Sequence, residues 1–177
     1  MNHPGAPQAA WPRLQPWLSL LVRLGLAVVA GLAAWPKLED LAASQRSVAA
    51  YELFPEAIWK LVGIGLPVVE LALAVLFAAG LLTRYASALF GVMLVLFAVG
   101  IASAWARGLN IDCGCFSPGG ALTAGEQAKY GWEILRDVGF MAMAAFLVWQ
   151  PWSRLSLDTV LGLNPAPRLD KTRKTKD

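Results

Sequence analysis

The chain has 177 residues, of which 57% are apolar and only 15% charged, with 8 Trp and a formal charge of +3. A soluble domain carries about a quarter charged residues; here charge is missing in blocks of about twenty residues, the length that crosses about 30 Å of hydrocarbon. This excludes a large water-soluble catalytic domain, because four apolar blocks leave too few residues to bury a second core. It also argues against nucleic-acid binding, since five of the fifteen Lys and Arg fall in the last ten residues, Arg168 to Asp177.

In chain order, an N-terminal tail (1–16) precedes an apolar block from about Trp17 to Trp35. Further blocks run from about Trp59 to Leu82, Tyr85 to Trp105 and Trp132 to Trp149, and a basic tail (151–177) closes the chain. The predicted fold is an all-α, integral-membrane four-helix bundle over 17–150. Trp17, Trp35, Trp59, Trp105, Trp132, Trp149 and Trp152 flank the blocks, as interfacial tryptophans do. Ala33 and Ala34 after the first block, and Arg13 before it, also fit a cleaved signal peptide, but Arg23 in its middle fits a helix with a buried partner better.

Four spans put both termini on one side of the membrane. That side carries Arg13, Arg84, Arg154, Arg168, Lys171, Arg173, Lys174 and Lys176; the other carries Lys37, Arg46, Lys60, Arg107 and Lys129. The positive-inside rule then predicts cytoplasmic termini and an extracytoplasmic loop around Cys113 and Cys115, where disulfides persist. Between the first two spans, Leu38, Leu41, Val48 and Tyr51 predict a surface helix bounded by Pro36 and Pro55, either sheltering the cysteine loop or resting on headgroups.

Cys113 and Cys115 are the only cysteines, and Gly114 between them permits a turn. Alpha carbons two residues apart can fall within the roughly 4.4–6.8 Å disulfide window. So small a ring is strained, hence oxidising and easily exchanged. A redox pair, a metal site and inert cysteines are the competing readings. Zinc needs further ligands, and the lone histidine, His3, falls on the opposite side in this topology, so no metal is expected. Asp112 beside the pair disfavours a thiolate, leaving Arg107 and Arg136 as the nearest sources of activation.

Glu70 in the second span, after Pro67, requires a partner or a cavity. Counted from the outer helix ends at 1.5 Å per residue, Arg23 lies about 18 Å deep and Glu70 about 16 Å, so the two are predicted to pair. Arg136 and Asp137 lie about one turn below Trp132 and, being adjacent, are not expected to face one another.

With these residues in view, the chain resembles the MauE branch of the DoxX-like membrane proteins. The matching segments are Arg23, Trp35-Pro36-Lys37-Leu38-Glu39-Asp40, Leu53-Phe54-Pro55, Leu66-Pro67-Val68-Val69-Glu70-Leu71, Asp112-Cys113-Gly114-Cys115-Phe116 and Arg136-Asp137, spread over Leu20 to Trp149. The chain departs from the family pattern at Ser117-Pro118. The resemblance implies thiol-disulfide exchange with a thioredoxin-fold extracytoplasmic partner, in some relatives to mature the disulfide-rich small subunit of methylamine dehydrogenase. It carries Cys113 and Cys115 over as redox residues. Arg23, Glu70, Arg136 and Asp137 carry over without an assigned role, and Asp112 joins them as a supporting residue.

In the sharpest version, a partner thiolate attacks the Cys113–Cys115 disulfide and the resulting mixed disulfide is resolved. A membrane quinone is the acceptor suggested by functional analogy, and the reverse flow of electrons is equally open. The alternatives are a non-enzymatic membrane scaffold for a secreted redox protein and, less well supported, a small-solute transporter. Ala27 with Gly31, and Gly100 with Ala104, offer close-packing faces for a homodimer or for packing within one chain.

Overall fold

The computed structural model describes residues 11–114, 120–122, 129–153 and 155–162. Residues 1–10 of the first tail, Cys115 and most of the second tail lie outside these. The first block is part of a longer helix, α1 (Trp11–Glu39). Pro36 removes one amide from its last turn, and α1 ends three residues later. Asp40 then starts α2 (Leu41–Ala50): its Oδ1 accepts the Ala43 N–H at 2.8 Å, satisfying an amide that the new helix leaves open.

The buried face of α2 differs from the expected one. Leu38 belongs to α1 and Leu41 is exposed, while Ala43, Ser44 and Ser47 are buried. The reason is proximity to α3 (Glu56–Ala79). A Cβ on Gly63 of α3 would sit 2.6 Å from Gln45 Cα, so only small side chains fit at the crossing. Ser44 Oγ uses this approach to donate to the Gly63 carbonyl at 2.7 Å.

Gly80 ends α3 and leads into α4 (Thr83–Ala106); a short hairpin, β1 (Ile111–Asp112) with β2 (Gly120–Ala121), precedes α5 (Tyr130–Trp149). The strands are antiparallel, with Ile111 opposite Ala121 and Asp112 opposite Gly120. α1 packs mainly on α3, and α4 on α5, with further contacts joining α1 to α5 and α3 to α4. The core between them contains Leu26, Ala30, Leu73, Phe77, Phe90, Ala144 and Leu147. Phe77 meets Phe90 edge to face at 5.8 Å, the arrangement that aromatic quadrupoles favour.

The outward faces are as apolar as the core. Leu21, Val28 and Leu32 on α1, Leu61, Val68 and Val75 on α3, and Val92, Leu96 and Val99 on α4 are all exposed, Leu61 at 72%. A continuous apolar exterior of this extent needs lipid around it. Among the described residues, Leu14–Glu39, Glu56–Ala79 and Thr83–Ala106 are long and apolar enough to cross a membrane. At 20 residues α5 has comparable length, but Glu133, Arg136 and Asp137 crowd its first turns. Trp17, Trp35, Trp105, Trp132 and Trp149 project from these helices, whereas Trp59 and Trp152 are half-buried.

The small-residue faces serve packing within the chain. A Cβ on Gly31 would touch Ala74 Cβ at 3.9 Å, a Cβ on Gly100 would touch the Tyr51 ring at 3.5 Å, and Ala104 is fully buried.

After α5, the chain folds back across the α3–α4 turn. Gln15 Nε2 donates to the Trp152 carbonyl at 3.3 Å and Ser19 Oγ to that of Gln150 at 3.1 Å. Asp158, in α6 (Leu157–Val160), is fully buried and accepts the amides of Leu82 (2.7 Å) and Thr83 (2.9 Å), capping α4 from 75 residues away.

Candidate functional site: the Cys113 hairpin and its charges

At the other end of the molecule, Tyr130 fixes the hairpin. Its ring is buried beside Trp105; its hydroxyl accepts from the Ile111 amide at 3.0 Å and donates to the Leu109 carbonyl. Gly114 adopts φ 68°, a left-handed conformation that glycine takes without penalty. Its amide donates to Asp112 Oδ1 at 2.8 Å, closing a side-chain-mediated turn around Cys113. Asp112 therefore has a structural task in shaping the loop that carries the sulfur. Tyr51, just past α2, donates its hydroxyl to the Cys113 carbonyl at 3.2 Å, so this segment shelters the cysteine loop.

Of the two arginines expected near the sulfur, Arg136 is the one that reaches it, with Nη2 3.9 Å from Cys113 Sγ. Arg107 turns away, donating from Nε to the Ser103 carbonyl and from Nη2 to that of Tyr51. Contrary to expectation, Arg136 and Asp137 also pair: Nε and Nη2 lie 3.2 and 3.1 Å from Asp137 Oδ1. Adjacent positions on a helix diverge, but the long arginine stem folds round to the neighbouring carboxylate while its tip remains at the sulfur. Asp137 is buried, and its Oδ2 has no partner among the described residues.

The Arg23–Glu70 pairing is overturned. Lys37 Nζ binds both oxygens of Glu70, at 2.6 and 2.8 Å, with the two side chains only 5% and 2% exposed. Depth counted from each helix's own end presumes that the ends are flush, and here they are not. Glu70 lies fourteen residues, about 21 Å, into α3 yet is level with the last turn of α1. α3 thus overhangs α1, and α2 covers the overhang.

Arg23, 1% exposed, lies near the opposite end. Its Nη2 donates to the Leu155 carbonyl at 3.0 Å and the carboxylate acting on it is Asp158. Of the residues expected to support the cysteines, Asp112, Arg136 and Asp137 are thus gathered around Cys113, Glu70 is joined to Lys37 beneath them, and Arg23 lies at the far end beside Leu155 and Asp158. Cys115 lies outside the described residues.

Sequence reasoning missed three contributors. Glu133 presents a carboxylate oxygen to this cluster: the ligand atoms of Asp112, Cys113 and Glu133 all lie within 4.8 Å of one another. Its spacing of three from Arg136 places both on one helix face, a signal available in advance. Tyr130 carried no signal in the sequence and Tyr51 read as part of the surface-helix repeat, because the hydroxyl partners of both are backbone atoms.

The same three groups are the only set among the described residues with metal-ligating proximity. Among the described residues, one sulfur and two carboxylates fall short of the four ligands of a closed zinc site. The guanidinium of Arg136 beside the sulfur also opposes a divalent cation. The sulfur thus lies beside one fixed positive charge, which favours a thiolate, and beside two carboxylates, which oppose it, so Arg136 is the group that makes thiol chemistry accessible here.

Apolar exterior helices with ionisable groups folded inward define a multi-pass membrane protein. Residues 15–150 match the family model described as methylamine utilisation protein MauE, and the chain belongs to that family. No curated protein and no solved structure matches it.

Proposed function

We propose that this protein is a membrane component of thiol-disulfide exchange, in which Cys113 and Cys115 form the exchanging pair. The observation that carries this reading is the half-buried Cys113 sulfur with Arg136 Nη2 at 3.9 Å, at the tip of a hairpin held by Asp112, Tyr51 and Tyr130. A positive charge at that range favours the thiolate, the species that attacks and leaves in disulfide exchange. In the proposed topology α5 is the fourth span of a four-helix bundle in the cytoplasmic membrane. Both termini are cytoplasmic, and the Cys-Gly-Cys loop faces an extracytoplasmic partner of thioredoxin fold. The family's description, methylamine utilisation protein MauE, supports a client within methylamine utilisation; the proposed client is a secreted or periplasmic protein that needs its disulfides.

A membrane quinone is the proposed source or sink of electrons for the pair. An apolar groove of about 420 Å³ between α4 and α5, lined by residues including Ser87, Gly91, Val95, Met141 and Ala144, supports this reading only for the isoprenoid tail. These residues occupy the halves of α4 and α5 remote from Cys113, so a quinone seated there would not touch the sulfur.

The test is thiol trapping in membranes with an impermeant reagent over a graded redox buffer. A pair that cycles reversibly, is labelled from outside, and has a potential above about −300 mV supports exchange. Full function in a Cys113→Ser, Cys115→Ser chain would instead identify a scaffold.

A further inference from the structure

Beneath the hairpin lies a cavity of about 40 Å³ that the exchange reading does not use. Lys37, Ser47, Tyr51, Phe97, Cys113 and Gly114 line it, so the lysine of the buried ion pair and the cysteine border one small space. About 10–15 Å³ is enough for one water, and a water needs polar partners, which Lys37 and Ser47 supply. Isolating an ammonium and a carboxylate from water is costly, and an ion pair is weak evidence for stability by itself. Lys37 Nζ also lies 5.9 Å from the centroid of the Phe97 ring, within cation–π range, so the ammonium is held on two sides.

We propose that Lys37, held in place by Glu70, is the positioning residue that delivers a proton through water in this cavity to the sulfur of Cys113. The proposal rests on the exchange reading. A thiolate of the partner bonds to Cys115 sulfur, the Cys113–Cys115 bond breaks, and its electron pair leaves on Cys113, which takes a proton relayed from the Lys37 ammonium. The partner's second thiol loses its proton to solvent and attacks its own mixed-disulfide sulfur. Cys115 departs with that electron pair and is protonated from solvent, and Lys37 is reprotonated. Two electrons and two protons have then moved from the partner dithiol to the Cys113–Cys115 pair, and every step runs equally in reverse.

The groups facing this path are Glu70 from α3, Phe97 from α4, Ser44, Ser47 and Tyr51 from α2 and its end, Asp112 from the hairpin, and Glu133 and Arg136 from α5. Glu70 is the one that offsets the Lys37 charge directly, which makes it the informative position to change.

The experiment uses the full chain in lipid nanodiscs. Iodoacetamide alkylation of Cys113 is followed against pH in a Cys115→Ser background, and oxidation of reduced thioredoxin as probe is followed with both cysteines present. Glu70→Gln, which leaves the Lys37 charge uncompensated, should lower the alkylation midpoint by about one pH unit. Lys37→Gln together with Glu70→Gln should return the midpoint to its original value or above, and should slow exchange at least about tenfold. Identical midpoints in all three folded proteins overturn the role of Lys37. Should the ion-pair variants not fold, Ser47→Ala keeps a small side chain at the crossing and leaves the pair intact, but removes a polar partner of the cavity water. Slowed exchange then supports the relay, and unchanged exchange overturns it. A parent chain that cannot oxidise thioredoxin defeats the exchange reading itself, while the alkylation comparison, which needs no partner, still decides whether Lys37 acts on Cys113.

Discussion

The Arg136 guanidinium touches two groups at once, Cys113 Sγ at 3.9 Å and Asp137 Oδ1 at 3.1 Å, and so joins the hairpin sulfur to a carboxylate buried in α5. Arg136 is partly shielded from water, so its charge acts on the sulfur without full screening. Replacing it by Gln removes that charge and keeps a hydrogen-bond donor. Alkylation of Cys113 at neutral pH, measured in a Cys115→Ser background, should slow by roughly three- to tenfold, in line with a shift of half to one unit in the thiol. An unchanged rate would show that the guanidinium does not control the sulfur.

Asp158 is fully buried and receives two amides of the α4 start. Asp158→Ala leaves both amides without an acceptor and removes the carboxylate acting on Arg23. Hydrogen bonds to a charged group contribute about 1.5–3 kcal/mol each, so a loss of about 3 kcal/mol or more is expected. Asp158→Asn, which keeps an acceptor oxygen, should lose less. Thermal unfolding in detergent provides the comparison.

Gly63→Ala places a methyl group 2.6 Å from Gln45 Cα. Backbone cannot yield there as a side-chain tip would, so α2 must lift from α3, at about 1–3 kcal/mol. Because Tyr51 follows α2 and holds the Cys113 carbonyl, a bulky maleimide should reach Cys113 faster in this variant. A stable protein with unaltered labelling would mean that α2 does not shelter the loop.

Whether α5 crosses the bilayer decides on which side residue 162 lies. In a chain without Cys113 and Cys115, single cysteines at Arg107 and Gly162 should behave oppositely toward an impermeant thiol reagent applied from outside, 107 being labelled and 162 protected. Labelling of both would leave three crossings and remove the fourth span from the proposed topology.

Tyr130→Phe takes away one acceptor and one donor shared by Ile111 and Leu109 while leaving the ring against Trp105. The buried Ile111 amide is then unpaired, at about 1–3 kcal/mol. The hairpin should show faster amide exchange at Ile111 than in the parent, a local effect that leaves α1 and α3 protected.

Much of the scaffold was legible because hydrocarbon imposes a length and a composition. The apolar blocks marked out α1, α3 and α4, and Cys113 with Arg136 and Asp112 could be singled out as one neighbourhood. What was lost followed from three-dimensional offset. The Arg23–Glu70 match failed because α3 overhangs α1, and sequence depth carries no information about how far one helix slides past another. The α2 face was misread because its neighbour is a glycine: contact with bare backbone selects Ala43, Ser44 and Ser47, whereas periodicity searches reward large apolar residues. Glu133 lay on a visible helix face, but the hairpin that brings Cys113 to it has strands of only two residues, too short for any alternation to register.

The capping of α4 by Asp158 also has a bearing on the order of assembly. The amides at the start of α4 leave the ribosome some 75 residues before the carboxylate that receives them. Until that carboxylate arrives, the α3–α4 turn has open donors and Arg23 lacks the Leu155 carbonyl. The helices can enter the bilayer one after another, but their final register waits for the chain to return past α5. A nascent chain halted near residue 150 should therefore hold its spans loosely enough for proteases of the membrane to reach them, and release of the next dozen residues should lock all of them together.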